Sequence, residues 1–251
     1  MIDINKVSFE IKENGDYAVK GTVLIKALNH SNSNIYDSLD NDSEVVLFVE
    51  EGSIVNYYVT NSSNIKRTFN VEGTLNVIEI NVDKTRDSLF ITLNKENAEA
   101  YVKNLVIANN LESTFIQNIT HNSKYTFSNI ENVGVSFDGG NITFDTTGKI
   151  EKGMSKSKCS QLSRGVVMDN KSTVTAKPIL LIDEYDCFAN HGASIGKMSD
   201  DDLFYLMSRG LTKDEAFLLI LQGIVRPFIS SIPSEEIRNG IENKVNELIL
   251  K

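Results

Sequence analysis

The pattern of hydrophobic and polar positions changes character once along the chain, near residue 197. From about residue 7 to residue 182, short runs of β-branched and aromatic residues often alternate with polar ones, and Asn, Gly, Asp and Ser separate the runs. Such runs are typical of half-buried β-strands. No helical period interrupts them, which argues against a βαβ architecture. The runs that we expect to form strands are 17–25, 45–49, 54–59, 75–82, 88–93, 101–107, 114–120, 125–130, 133–137, 141–144 and 174–182.

The spacing of these runs limits the fold to three all-β architectures. A repeat of about 10–12 residues fits a sandwich, a barrel or a β-solenoid, and the pattern alone does not choose between them. Asparagine-rich turns favour the solenoid slightly, because stacked coils place asparagine at tight corners that need a left-handed backbone.

After Gly196 the hydrophobic period becomes helical. We expect the second of three helices to reach about Val225, and Pro227 to end or kink it. These changes divide the chain into a β domain, residues 1–197, and a helical domain, residues 198–251. The residues that favour helix starts are Ser199, the capping box Thr212–Glu215 and the run 233–236.

The second helix is apolar on nearly every side, and its apolar residues include Phe217, Leu219 and Ile220. A helix of this kind is either buried in its own protein or covered by a partner. From periodicity alone, packing on the end of the β region is the favoured alternative.

The composition indicates a folded protein and excludes two classes of partner. With 251 residues, of which 41% are hydrophobic, the chain can bury a full core, which argues against disorder and against a disulfide-stapled miniprotein. Its net charge of −9 argues against nucleic acid and against an anionic membrane as partners. The first residues lack the pattern of a signal peptide, and no apolar run reaches the roughly 20 residues that span a bilayer. We therefore expect a cytoplasmic protein.

One short segment, Gly192-Ala193-Ser194-Ile195-Gly196, matches two enzyme motifs incompletely. It has the pattern of the nucleophile elbow of serine hydrolases, which needs a later histidine, but all three histidines precede Ser194. With Lys197 it also resembles a phosphate-binding loop, but it is too short between the glycines, and Met198 stands where a Ser or Thr would hold magnesium. The sequence therefore predicts neither a serine hydrolase nor an ATPase.

The candidate metal ligands are few. Cys159 and Cys187 are the two cysteines, too few for a disulfide framework or for a four-thiolate site. If residues 183–191 are extended, Cys187 and His191 share a face about 13 Å apart, so they can hold one ion only if the segment bends. From spacing alone, a structural histidine and a buried free cysteine are the more common roles.

Four segments follow one another in a fixed order: 177–182 (KPILLI), 191–197 (HGASIGK), 203–210 (LFYLMSRG) and Glu215-Ala216. Together they resemble the C-terminal part of the SufB/SufD family, the scaffold subunits of the SUF iron–sulfur cluster assembly machinery, and the SufD branch matches better. His121 and residues 148–150 resemble upstream landmarks of the family. The resemblance covers about residues 118–229.

This resemblance implies a right-handed parallel β-helix followed by a C-terminal α-helical region. In the family, two such chains pair through their β-helices, and the nascent cluster forms near that interface. The histidine of the H-G-A element, here His191, is a candidate cluster and metal ligand, with Cys187 and Cys159 as weaker contacts. The C-terminal helices of the family dock an ABC-type ATPase, SufC, and the residues expected to do so here are Phe204, Tyr205, Arg209, Phe217, Leu219 and Ile220.

The chain also departs from the family pattern. The family often has a cysteine two residues before this histidine, where this chain has Ala189, and SufB has a glutamate directly after it, where this chain has Gly192. The sulfur-accepting role of SufB is therefore not expected here. Family members usually carry an N-terminal helical region as well, and we expect none in this chain.

We therefore expect a SufD-like scaffold subunit, not an enzyme, that binds no nucleotide itself. A transient iron–sulfur cluster would be shared with a SufB-like chain or a second copy, because one chain offers too few thiols and imidazoles. Two alternatives stay open. One is a non-catalytic β-solenoid that only binds or polymerises, and the other is a β-helix or sandwich enzyme acting on a polyanion or a carbohydrate.

Overall fold

The structure is a computed structural model, and it describes residues 1–4, 8–28, 30–39, 42–60, 64–82 and 84–248. Within these ranges the chain forms 17 strands followed by three helices. The odd-numbered strands form one sheet, in the order β1 (Ile2–Ile4), β3 (Gly15–Val19), β5 (Asn32–Asp37), β7 (Ile54–Thr60), β9 (Thr74–Asn81), β11 (Glu99–Asn109), β13 (Phe127–Phe137), β15 (Lys158–Val167) and β17 (Phe188–Lys197).

The even-numbered strands form a second sheet, and all pairings described in both sheets are parallel. The chain therefore alternates between the sheets, and two consecutive strands make one coil of a parallel β-helix. This confirms the predicted solenoid. The second sheet contains β2 (Ser8–Ile11), β4 (Val23–Ala27), β6 (Ser43–Val49), β8 (Ile65–Val71), β10 (Arg86–Leu93), β12 (Glu112–His121), β14 (Asn141–Ile150) and β16 (Thr173–Ile182).

The coils lengthen along the chain. Asn56 and Asn76 are register partners 20 residues apart, whereas Asn132 and Ser163, three coils further on, are 31 residues apart. Strands lengthen in parallel, from three residues in β1 to 11 in β13. The last coils, β11–β17, therefore have wider sheets than the first coils, β1–β10.

Alternation along each strand sends one row of side chains into the interior. In β6, Val45, Leu47 and Val49 are at most 1% exposed, while the residues between them face outward. Complete burial of each such side chain stabilises the fold by about 1.5–3 kcal/mol. The interior of the first coils is consequently a continuous apolar cluster that reaches from Ile4 to Ile130.

Asparagine has two separate structural roles in the solenoid. On the outside of the odd-numbered sheet, Asn34, Asn56 and Asn76 form a ladder of side-chain amides, in which each donates to the residue one coil earlier at 2.8–3.1 Å. At the turns, Asn64, Asn97 and Asn110 have φ of 55°, 64° and 52°. These left-handed corners explain why asparagine-rich turns indicated a solenoid.

The three helices are α1 (Asp200–Ser208), α2 (Lys213–Ile229) and α3 (Glu235–Glu247), and the predicted caps are confirmed. Ser199 accepts from the backbone of Asp202, Thr212 and Glu215 form the capping box, and Ser234 caps α3. The predicted end of α2 is wrong, because the helix continues past Pro227 to Ile229.

The helices fold back onto the β-helix. Leu221 and Val225 of α2, with Ile241 and Val245 of α3, form one hydrophobic cluster with the outer face of the odd-numbered sheet. The helices thus cover the flank of the β-helix. The hydrophobic pattern had instead favoured packing on the end of the β-helix. The last strand ends at Lys197 and α1 begins at Asp200, but the division into two domains stays a prediction. No helix in the described part of the chain is both long and apolar enough to cross a membrane.

Several strand predictions need correction. The run 17–25 contains two strands, β3 and β4, separated by a turn at residues 20–22, and the runs 125–130 and 133–137 belong to the single strand β13. The predicted strands do not include β1, β2, β5, β8, β15 and β17, and in β8 and β15 buried polar residues within the inner row interrupt the alternation. Arg67 in β8 and Gln161 in β15 are examples of such buried polar residues.

Candidate functional site

His191 lies at the open end of the β-helix. It belongs to β17, the last strand of the odd-numbered sheet, and pairs in register with Gln161 of β15. The side chain of Gln161 is buried inside the coil, so His191 continues an interior row of the sheet. No other described strand pairs with the outer edge of β17, and the residue is exposed. An external group can therefore reach its imidazole.

Cys187 lies in the bend that precedes β17. The extended conformation considered for residues 183–191 does not occur, because residues 185–187 form this bend. The thiol donates to the backbone carbonyl of Glu184 over 3.1 Å, and the residue is partly exposed. Burial, followed by the carboxylates of Glu184 and Asp186, raises the pKa of Cys187, so its protonated form predominates at neutral pH.

Cys159 faces the interior of β15 and is 1% exposed. Burial raises the pKa of this thiol, and a hydrogen bond with Ser128, its register partner in β13, opposes the rise. On the facing sheet, a Cβ at Gly148 would collide with Cys159 Sγ and with the side-chain amide of Gln161. Glycine therefore makes room for the thiol, and Cys159 has the environment of a buried free cysteine.

His121 is a buried polar centre for which the sequence offered only a resemblance to a family landmark. It ends β12, is fully buried, and places Nδ1 2.7 Å from Thr126 Oγ1 and Nε2 2.8 Å from Ser128 Oγ. Burial lowers the pKa of His121 to about 4, so the imidazole is neutral at physiological pH. Since Ser128 also contacts Cys159, one hydroxyl connects the buried histidine with the buried thiol.

A surface cavity of about 480 Å³ lies beside Cys187, at the beginnings of β13, β15 and β17. Thr126 and Ser157, whose hydroxyls are 2.8 Å apart, form part of its wall. Phe188 is 59% exposed at its rim. The buried hydroxyl groups around His121 therefore lie directly behind the wall of this cavity.

The candidate ligands do not form a complete metal site within the described residues. No group of three or more His, Cys, Asp or Glu side chains converges there. His191 is exposed, Cys187 is partly exposed and Cys159 is buried. One accessible imidazole and one partly accessible thiol are fewer than the four protein ligands of a typical iron–sulfur cluster.

The strands around His191 expose apolar side chains. Leu162 of β15, Leu181 of β16 and Phe188 of β17 have 51%, 50% and 59% of their surface exposed, and Ile179 and Ile195 are also exposed. β16 and β17 are the edge strands of their sheets. Exposed apolar groups next to free strand edges are typical of surfaces that associate with another chain.

The residues expected to dock an ATPase fall into two groups. Phe204 and Tyr205 of α1 are 74% and 56% exposed, and Arg209 Cζ lies 5.2 Å from the centre of the Tyr205 ring. Leu219 of α2 is 48% exposed, and Ile220 is partly buried. In contrast, Phe217 packs edge-on against Phe137 of β13, with ring centres 5.3 Å apart.

The candidate residues of this chain lie on a parallel β-helix. Its terminal coil, β15–β17, is exposed, and helices cover its flank. The family model described as "SUF system FeS cluster assembly, SufBD core domain" matches residues 11–224. The chain therefore belongs to the SufBD core family, which confirms the resemblance stated from its motifs.

Relatives from both branches of the family are similar to this chain. The iron–sulfur cluster assembly protein SufD of Bacillus subtilis is 36% identical over 135 residues, which are 54% of this chain and 31% of that protein. SufB of the same organism is 34% identical over 119 residues, 46% of this chain and 25% of that protein. A SufBD family protein of Mycobacterium tuberculosis is 35% identical over 115 residues, 46% of this chain and 14% of that protein. The matched part is thus less than a third of each relative.

Proposed function

We propose that this chain is a SufD-like scaffold subunit of a SUF iron–sulfur cluster assembly complex. Its terminal coil would pair with the β-helix of a SufB-like chain or of a second copy. The observation that carries this proposal is the set of exposed apolar side chains on β15–β17, strands that also carry an accessible histidine at a free strand edge. A surface of this composition is suited to association, and the cluster assembled there is cargo.

His191 is the proposed cluster ligand of this chain. A neutral imidazole is a suitable donor for iron, and this one is exposed at the proposed interface. Because the described residues supply few accessible donors, the partner chain would provide the others. Cys187, in the adjacent bend, is a second donor within the same region, whereas the buried Cys159 needs a local opening before it can contact iron or sulfur.

Exposed residues of α1, its C-cap and α2, with the partly buried Ile220, form the proposed docking surface for a SufC-like ABC ATPase. This surface consists of Phe204, Tyr205, Arg209, Leu219 and Ile220. The opposite side of α2 is held on the β-helix by Leu221, Val225 and the Phe217–Phe137 contact. Movement of a docked ATPase would therefore be transmitted to β13 and its neighbours. In this arrangement the partner binds and hydrolyses the nucleotide, and this chain has no turnover.

The ligand proposal is tested with His191→Ala in a complex reconstituted with a SufB-like chain and a SufC-like ATPase. We expect a several-fold lower iron and sulfide content per complex, with the subunit composition unchanged. Asn190→Ala is the matched control, because Asn190 is the preceding residue of β17 and faces the other side of the sheet. Equal cluster content in the His191 variant and the wild type would refute the assignment.

The docking proposal is tested with Leu219→Glu, which places a charge on the exposed side of α2. We expect loss of ATPase co-purification while the circular dichroism and melting temperature of the isolated chain stay as in the wild type. Asn239→Glu adds the same charge to an exposed position of α3 and should retain the ATPase. Retention of the ATPase by both variants would refute this docking surface, and a wild-type chain that retains no ATPase would favour the alternative of a β-solenoid that binds without an ATPase partner.

A further inference from the structure

A row of uncharged polar side chains runs through the interior of the last coils. Asn104 of β11, Asn132 of β13 and Ser163 of β15 are register partners, one from each coil, and all are at most 3% exposed. On the facing sheet, Gln117 of β12 and Thr146 of β14 are also register partners. Asn132 donates to Thr146 over 3.2 Å and so connects the two sheets, while Thr146 donates to Gln117 over 3.3 Å.

These contacts leave buried polar atoms without protein partners. Among the described residues, no hydrogen bond reaches the amide nitrogen or oxygen of Asn104, Nε2 of Gln117, Oδ1 of Asn132 or Oε1 of Gln161. A buried polar group that makes no hydrogen bond destabilises the fold. These five side-chain amide atoms would together cost as much as the net stability of a typical domain. Another molecule must therefore satisfy them.

The donor and acceptor types of these atoms indicate which molecule satisfies them. The two nitrogens need acceptors, and the three oxygens need donors. An anion would satisfy only the nitrogens, and a metal cation only the oxygens. Water both donates and accepts, and buried water typically makes about three hydrogen bonds to groups of this kind.

We infer that ordered water molecules occupy the interior of the β-helix between Asn104 and Gln161, where they bridge the side-chain amides of successive coils. Gln161 is the register partner of His191, so this internal water ends directly beneath the exposed terminal coil. The first coils contrast with this region, because their interior is mostly apolar, with residues such as Leu47 and Phe69, and their buried charges pair with one another. The inference does not depend on the proposed function.

A crystal structure of the full chain at a resolution that shows ordered water tests this inference. We expect density peaks within hydrogen-bond distance of Asn104, Gln117, Asn132 and Gln161. The nearly isosteric variant Asn104→Leu should lose the peaks next to residue 104 and keep those next to Gln161. Ile119→Val, at an apolar interior position of β12, should keep all of them.

A second measurement applies if Asn104→Leu does not fold. In the wild-type protein labelled at its Asn and Gln side chains, the amide of Asn104 should show a magnetisation transfer from long-lived water, which the exposed amide of Asn141 should lack. Amides that pair directly with one another, with no intervening density and no such transfer, would overturn the inference. Density of a tetrahedral or elongated molecule would also overturn it, because the occupant would then not be water.

Discussion

The first and last coils of the β-helix use the same parallel ladders but differ in their interior chemistry. In the first coils, the buried Arg67 contacts Asp37 at 2.9 Å and Asp87 at 3.1 Å, and Tyr57 donates to the same Asp37 carboxylate at 2.6 Å. The last coils contain no comparable ion pair among the described residues. Their buried polar groups are amides, hydroxyls, a thiol and a neutral imidazole.

This difference indicates that the two regions of the β-helix have different roles. The charges of Arg67, Asp37 and Asp87 in the first coils pair with one another, and burial, followed by Asp87, raises the pKa of the neighbouring Glu79 well above its usual value. The last coils have buried amide atoms that no described residue pairs with, and they expose apolar side chains outside. We therefore expect the first coils to contribute most of the stability, and we propose that the last coils bind other molecules.

The largest effect should come from Arg67→Met. Removal of the guanidinium leaves Asp37 and Asp87 buried without their counter-ion, so we expect the free energy of unfolding to fall by about 3–5 kcal/mol. Lys66→Ala is the control in the same strand, because Lys66 pairs with Glu44 at the exposed surface and its loss should cost about 0–1 kcal/mol. Denaturant titration measures both, and similar losses would show that the interior pair is not a stability centre.

A smaller change in the free energy of unfolding is expected in the last coils, where stability should depend on pH through His121. In the unfolded chain, His121 becomes protonated when the pH falls below its ordinary pKa of 6.5. In the folded chain, it becomes protonated only near pH 4. Stability is therefore lost as the pH falls through this window, by about 3 kcal/mol from this group. His121→Asn should remove that share of the loss. Between pH 4 and 7, plots of the free energy of unfolding against pH for the wild type and the variant should converge at low pH. Parallel plots would contradict this role of His121.

The smallest effect on stability is expected at the terminal coil. Leu181→Ala should change the free energy of unfolding of the isolated chain by less than about 0.5 kcal/mol, because the side chain is half exposed. Leu47→Ala, at a fully buried position of the first coils, should cost about 2–5 kcal/mol. Thermal unfolding compares the two variants. Equal losses would mean that the terminal coil belongs to the stabilising core.

The amino-acid sequence predicts the type of fold better than it predicts the site. Alternating runs, asparagine turns and helix caps such as Ser199 and Thr212 depend on neighbouring residues, so their patterns are visible along the chain. The stacking of β8, β15 and β17 depends on partners 20–31 residues away in the chain. A local pattern contains no information about such partners, and Arg67 looks like a surface residue until Asp37 and Asp87 are placed beside it.

The candidate site residues were proposed from the resemblance to the family, because the local hydrophobic pattern does not identify them. The segment around His191 contains glycine and small residues, so nothing local identifies it as an edge strand. His121 had a weaker signal, since the alternation of β12 continues to its last residue and places the imidazole inside. Its contacts with Thr126 and Ser128 come from the following turn and the facing sheet, and only the folded structure shows them.

The central claim is that the terminal coil and the helices bind two different partners. The most direct test is native mass spectrometry of this chain co-expressed with a SufB-like chain and a SufC-like ATPase. For Leu181→Glu, the account predicts loss of the SufB-like chain and retention of the ATPase, and for Leu219→Glu the reverse. Loss of both partners in either variant, or a wild-type chain that binds neither, would contradict the account.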